Sequence, residues 1–327
     1  MGREMEIQIP GIHHVTAVTG DASGNVAFYT RVLGMRLVKK TVNQDDVSAY
    51  HLFYADRHGS PGTDLTFFDW PQSPPARPGA TTIAPIGLRV NDEAALEWWT
   101  KRFQEHGVAH GPIVEDGGRT LVKFADPEGQ RFELVADGGA PGGEPWPESP
   151  VPAEFAIKGF YDVTMTSSRP PSTAALLTKV LGFRATGEYG REGGGKVAVF
   201  ETGNGGPAAE VRVVSLEDGE FGQVGIGGVH HVAYRTPDAE QQVEWRERVL
   251  AAGLQVTPVI DRFYFKSIYF REPGGVLFEI ATDGPGFTAD ESESELGRHL
   301  ALPPFLEPRR AEIEAGLKPI EVAAESN

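Results

Sequence analysis

The chain has 327 residues and no cysteine. Disulfides, thiolate metal sites and a cysteine nucleophile are therefore excluded. It also lacks an excess of positive charge: 30 Lys and Arg stand against 46 Asp and Glu, a formal net charge of −16. Nucleic acids and anionic membranes are bound by basic surfaces, so neither is expected as a partner. No apolar run approaches the ~18 residues of a membrane-spanning helix. The opening "MGREMEIQIP" has no positive region followed by an apolar stretch, so no signal peptide is expected. Glu6 breaks the myristoylation pattern. A cytoplasmic enzyme or binding protein is the expectation.

What is present is ordinary for a soluble globular chain: 40% hydrophobic and 23% charged residues. The length suits about two domains. Forty glycines and 25 prolines fit many short strands joined by turns.

Internal repetition is the strongest signal. "VAFYTRVLGMRLV" (26–38) matches "AALLTKVLGFRAT" (174–186), and Gly34 and Gly182 each sit where a helix C-cap glycine belongs. "ADPEGQRFELVADG" (125–138) matches "REPGGVLFEIATDG" (271–284), a shift of 146. Four units follow, at about 9–70, 81–137, 156–216 and 226–282. Each reads as a β-branched strand, an amphipathic helix and about three further strands punctuated by Gly and Pro. The fold class is therefore α+β, four βαβββ modules. The expected division is an N-terminal domain 1–140, a linker 141–155 within a Gly/Pro-rich run, a C-terminal domain 156–283 and a tail 284–327 with a short helix at 308–316.

Two strands open on His-His: "GIHHVTAVTG" (11–20) and "GGVHHVAYRT" (227–236). At the repeat shifts, His14 falls on Asp162 and His231 on Pro85. A histidine required by the repeated fold would recur in all four units; these occur only in the first and fourth. Side chains alternate across a strand, so one His of each pair is expected on the concave face and the other opposite, unless a bulge intervenes. Two such histidines with one carboxylate make a facial metal triad with open positions. The carboxylate is Glu279, a lone acid in the apolar strand "GGVLFEIAT" that needs a partner if buried. Glu133 stands at the same repeat position, beside Pro85 and Asp162 instead of histidines, and is expected to bind no metal.

Tandem βαβββ units with strand-borne His and Glu resemble the vicinal-oxygen-chelate superfamily of glyoxalases, bleomycin-resistance proteins and extradiol dioxygenases. Within it, "YHLFYAD…GSPGTDLTFFDWP", "LEWW", "GGVHHVAY", "RFYFKSIYFREPGGVLFEIATDGPGFT" and "LGRHLALPPFLEP" resemble the hydroquinone ring-cleaving dioxygenases, of the 2,6-dichlorohydroquinone 1,2-dioxygenase and MhqO type. The likeness runs through nearly the whole chain. It implies mixed sheets curled into cups and metal ligands His14, His231 and Glu279. It places His13, Thr16, His230, Arg262 and Tyr269 around the reaction. It implies Fe(II), with Mn(II) as the other metal, O2 as co-substrate and a hydroquinone- or catechol-type ring as the small-molecule partner. A homo-oligomer is left open. Two other readings stand beside it: a metal-dependent lyase, isomerase or thiol transferase acting without O2, and a non-catalytic small-molecule-binding protein.

If His14, His231 and Glu279 share one ion, the first and fourth units must face each other across one cup. The second and third should then pair likewise, with Pro85, Glu133 and Asp162 lining a metal-free counterpart. In the opposing arrangement of two self-contained halves, His14 would need another partner such as His51 or His58.

Overall fold

The computed structural model describes residues 7–191, 195–217 and 219–321. Sixteen strands form two eight-stranded sheets. The first module gives β1 (Ile12–Thr19), β2 (Arg36–Asn43), β3 (Asp46–Ala55) and β4 (Asp64–Asp69). The second gives β5 (Thr82–Val90), β6 (His110–Asp116), β7 (Arg119–Ala125) and β8 (Arg131–Ala136). The third gives β9 (Phe160–Ser167), β10 (Arg184–Gly190), β11 (Lys196–Glu201) and β12 (Glu210–Ser215). The fourth gives β13 (Gly228–Thr236), β14 (Ile260–Asp261), β15 (Lys266–Arg271) and β16 (Leu277–Thr282). Each module carries one helix after its first strand: α1 (Ala22–Ala27), α2 (Glu93–Glu105), α3 (Pro170–Ala175) and α4 (Ala239–Ala251).

Local chemistry accounts for these elements. Asp92 and Asp238 cap α2 and α4, accepting from the backbone N–H of Ala95 and Gln241 at 2.9 and 2.8 Å. Ala95, Leu96, Trp99 and Phe103 make the buried face of α2 at helical spacing. The helices α1 and α3 each continue as a π-helical turn, Phe28–Val32 and Leu176–Val180. These turns run into Gly34 and Gly182, whose φ of +68° and +75° only glycine adopts without strain. Among the described residues no helix is long and apolar enough to cross a membrane.

The sheets do not follow the halves of the chain. One has the order β14-β15-β16-β13-β1-β4-β3-β2 and the other β10-β11-β12-β9-β5-β8-β7-β6. Modules one and four, the most distant in sequence, share a sheet, and modules two and three share the other. This is the cross-paired arrangement that the histidine distribution requires. Antiparallel β1–β13 and β5–β9 are the two central seams.

Both seams are bulged. In β1–β13, Ile12 pairs with Tyr234 and His14 with Ala233, which leaves His13 as an extra residue. On the other strand His231 pairs with Thr16 and Val229 with Ala17, which leaves His230 extra. The β5–β9 seam is interrupted at corresponding places, between Ile83 and Ile86 and between Gly87 and Leu88. The irregularity thus belongs to the repeated fold, and only the side chains on it differ between the sheets.

The tail folds back onto the first sheet. The N–H of Ala301 donates to the carbonyl of Lys40 at 2.9 Å. A fifth helix, α5 (Arg310–Gly316), buries Ile313. Lys39, wholly buried, is held by Asp290 at 2.8 Å and by Glu291.

Parallel registers show what replaces the histidines in the second sheet. Glu279 faces Ala233 as Glu133 faces Gly87, and Thr66 faces Thr16 as Arg212 faces Thr164. The buried Arg212 guanidinium lies 2.5 Å from Glu133 and 2.9 Å from Asp162. Arg119 also pairs with Asp162, at 2.7 Å, and with Glu210. Where the first sheet gathers His14, His231 and Glu279, the second supplies its own cation. Removing one member of a buried charge network leaves the others uncompensated, at about 3–5 kcal/mol. Arg212→Met is therefore expected to destabilise the chain by about that amount in denaturant unfolding, whereas Thr66→Val at the matching position should cost far less.

Candidate metal centre

His14 on β1, His231 on β13 and Glu279 on β16 converge from three adjacent strands. All three are buried, at 2%, 3% and 0% exposure. His14 Nε2 lies 3.3 Å from His231 Nε2 and 3.3 Å from Glu279 Oε2, and His231 Nε2 lies 2.9 Å from the same oxygen. Three donors about 2.1 Å from one ion stand roughly 3.0 Å apart on an octahedral face and roughly 3.4 Å apart in a tetrahedron. The observed triangle is of that size. Glu279 Oε2 has no hydrogen-bond partner of good geometry despite full burial. Its other oxygen accepts from the Ser267 hydroxyl, so the free lone pairs face the two imidazoles. Two imidazole nitrogens and one such oxygen fit a divalent transition metal.

The bulges decide what the other two histidines do. They do not point across the sheet as strict alternation predicts; each folds back on its neighbour. His13 Nδ1 is 2.9 Å from His14 Nδ1, and His230 Nδ1 is 2.8 Å from His231 Nδ1. One nitrogen of each contact must carry the proton. Burial, followed by the charge of the neighbouring imidazole, pushes His13 and His230 down to about 3. They are thus neutral acceptors at ordinary pH. The proton then sits on Nδ1 of His14 and His231, leaving both Nε2 lone pairs free. Burial disfavours charge on His14, but Glu279 outweighs it and raises the pKa; His231 is lowered by burial. Burial pushes the Glu279 carboxyl up, but His14 and His231 hold it well below the usual carboxylate range.

Arg262 and Tyr269 also reach this cup. The Arg262 guanidinium lies 5.5 Å from the Tyr269 ring centre, and the His231 and Tyr269 rings are 5.8 Å apart. Burial opposes charge on Arg262, but the hydrogen bonds to Asp45, at 3.0 and 2.8 Å, raise its pKa. The Tyr269 hydroxyl is pushed up, first by burial and then by Glu279. Thr16, two residues along β1 from His14, accepts a hydrogen bond from Thr66 at 2.8 Å, and His51 Nε2 lies 3.0 Å from the Thr66 hydroxyl.

Sequence reasoning named His51 only as a stand-in ligand and missed Phe265 and Asp64. His51 lines the cup, its ring 3.9 Å from Phe53 and 4.4 Å from Phe68. It is no substitute ligand, but it is within the field of His14 and His231. His58 lies outside, exposed and paired with Glu144. The Phe265 ring packs, tilted, against both His13 and His14 with ring centres 5.2 Å apart. Asp64, beside His14 in the ladder, has two buried oxygens without partners, and burial pushes it up to about 8. Only its place one strand from His14 distinguished it, and that place was invisible before the strands were paired.

A paired-βαβββ chain with a buried, strand-borne two-His-one-carboxylate cluster is the class that fold and site define. A family model for the Glyoxalase/Bleomycin resistance protein/Dioxygenase superfamily matches residues 11–134 and 161–280. The chain is 46% identical, over 96% of its length and all of the relative's, to "Putative ring-cleaving dioxygenase MhqA" of Bacillus subtilis. It is 34% identical, over 92% of its length and 93% of the relative's, to the Chlorohydroquinone/hydroquinone 1,2-dioxygenase of Sphingobium indicum. A Bacillus subtilis crystal structure described as a "putative dioxygenase" superposes with a TM-score of 0.87 at 38% identity, covering 98% of this chain and all of that one. The chain belongs to the Glyoxalase/Bleomycin resistance protein/Dioxygenase superfamily.

The neutral bulge histidines have a consequence for stability. An unfolded chain protonates them near pH 6.5, while the folded chain refuses the protons down to about 3. Between these values the unfolded state binds more protons, so their contribution to stability falls as pH falls. Denaturant unfolding of the metal-free chain across this window should show the loss. A His13→Gln/His230→Gln variant should show a slope shallower by up to about 1.4 kcal/mol per pH unit for each histidine replaced.

Proposed function

We propose that the chain is a non-haem Fe(II)-dependent dioxygenase that cleaves a hydroquinone-type aromatic ring with O2, the metal being held by His14, His231 and Glu279. One observation carries the reading. Three buried donors with free lone pairs meet within 4.8 Å of one another, in a chain 34–46% identical over nearly all its length to proteins named as ring-cleaving dioxygenases.

Bound there, iron(II) supplies open positions for a ring oxygen and for O2, and exchanges electrons with both. The protein's own part can be read from its side chains. His13 and His230 hold the ligand imidazoles in the Nδ1–H form. Ser267 fixes one oxygen of Glu279 and so aims the other. Phe53, Phe68 and Phe265 line the cup and make its walls apolar. Arg262 presents its charge at the same cup and orients the second ring oxygen, the feature that separates a hydroquinone from a simple phenol. Tyr269, protonated because its hydroxyl is pushed up, is the lining group that can donate a proton to a developing oxygen anion. His13 and His230 are poor proton donors by comparison, being neutral and committed to the ligand rings.

The test is anaerobic loading with Fe(II) or Mn(II), then O2 uptake with hydroquinone compared with catechol. The expected result is one O2 consumed per hydroquinone, with Fe(II) the more active metal. Turnover without O2 would instead favour Lewis-acid chemistry, and ring binding without turnover a sequestering protein. His14→Ala, His231→Ala and Glu279→Ala should each abolish stoichiometric metal binding. His13→Phe should weaken it by about 10–100-fold, the usual effect of losing a group that orients a ligand. Metal affinities measured by chelator competition decide both points.

A further inference from the structure

The larger cavity is not the one over the triad. The cup of the first sheet encloses about 40 Å³ around His14 and His231, whereas a cavity of about 430 Å³ opens over the second sheet. A space of that size is typical of small-molecule sites. Its floor is the Arg212 network, with Tyr189 receiving a further hydrogen bond from Arg212 at 3.2 Å. Its walls are Phe124 and Phe132, stacked with ring centres 5.1 Å apart, together with Pro85, Val197 and Val214.

Two features make this cavity selective. At its exposed edge stand Arg131, opening β8, and Arg191, following β10. Neither has an acidic partner among the described residues. Burial, followed by the charge of Arg191, lowers the basicity of Arg131. The lining also holds Asp116, whose carboxylate is already paired with Lys123 at 2.6 Å; two guanidinium groups within each other's field repel, and an anion between them relieves the repulsion through charge-assisted hydrogen bonds. This stands out in a chain whose net charge is −16. On the floor, the Thr164 hydroxyl is buried and has no hydrogen-bond partner. Such a group is costly unless something supplies the missing bond.

We propose that the second cup is a metal-free binding site for a small aromatic or unsaturated carboxylate. The carboxylate sits between Arg131 and Arg191, the flat body lies against Phe124 and Phe132, and an oxygen substituent reaches Thr164. The Arg212 cluster is then a rigid floor that keeps metal out, because its carboxylates are already neutralised. This site stands on the second sheet alone and does not depend on the chemistry of the first.

Calorimetric titration of the full-length chain tests it, with 2-naphthoate as probe and 2-naphthamide as its uncharged counterpart. The expected result is one naphthoate per chain, weakened by salt, with naphthamide weaker by about tenfold or more, the scale of one charge-assisted hydrogen bond. The surface variant Arg131→Gln/Arg191→Gln should lose a similar factor for naphthoate and little for naphthamide. Val197→Trp should fill the cavity and abolish both. His14→Ala should leave naphthoate binding unchanged. No naphthoate binding up to about 10 mM, which is weaker than about 3 kcal/mol of binding free energy, would overturn the proposal. So would equal affinity for naphthamide, retention of affinity in the double arginine variant, or loss in His14→Ala. Thermal unfolding confirms that each variant is folded. The arginine variant lies at the exposed edge and keeps the test decisive if Val197→Trp does not fold.

Discussion

Glu279 is wholly buried and leaves one oxygen without a hydrogen-bond partner of good geometry. A carboxylate in that position is tolerable only where positive charge or strong donors meet it. Both sheets are organised by this requirement, and they meet it differently. In the first, the Nε2 atoms of His14 and His231 close on the carboxylate at 3.3 and 2.9 Å. In the second, Glu133 at the matching register is met by the guanidinium of Arg212. The exchange takes three positions together: Arg212 stands where the first sheet has Thr66, Asp162 where it has His14, and Pro85 where it has His231.

Much of this was legible from the repeats. Four copies of one strand-helix-strand pattern, with histidines in only the first and fourth, already imply which modules must meet. A single ion cannot be held by residues in separate cups. Glu279 was legible for the same reason, as a lone charge in an apolar strand. Arg212 was not, because in "AEVRVVSL" it reads as the outward-facing residue of an alternating strand. Its meaning comes from Asp162 and Glu133, which lie 50 and 79 positions away and meet it only through pairing.

The bulges were also hidden. Alternation assigns adjacent residues to opposite faces, and nothing in "HHV" signals an extra residue in the ladder. The physical effect is large. A regular strand would have sent His13 and His230 away from the ligands. The bulge instead makes each a neutral acceptor for its neighbour's Nδ1–H, so that both ligands present the same nitrogen inward. A side chain placed by an irregular backbone cannot be assigned a role from periodicity, and these two are the clearest case in the chain.

The difference in size between the cups has a structural origin in the tail and in one surface bridge. Tyr264 lines the first cup, and its hydroxyl donates to Asp290 of the tail at 2.8 Å. Phe53, also in the lining, packs against Phe287 of the tail with ring centres 5.1 Å apart, as Tyr264 does at 5.5 Å. Arg262 is tied to Asp45 by two hydrogen bonds, and the Gln44 side chain donates to the Arg262 carbonyl at 2.8 Å. Walls braced from behind and a mouth bridged from above leave about 40 Å³, too little for an aromatic ring, which needs nearer 100 Å³ by comparison with the ~150 Å³ cavity that holds benzene. For the ring of the proposed reaction to reach the triad the cup must widen, and the bridge between the β2–β3 turn and the segment around Arg262 is one contact that resists it. That bridge is a two-point guanidinium–carboxylate pair, its acid 71% exposed but its arginine only 17%, and such pairs hold better than ordinary surface ion pairs.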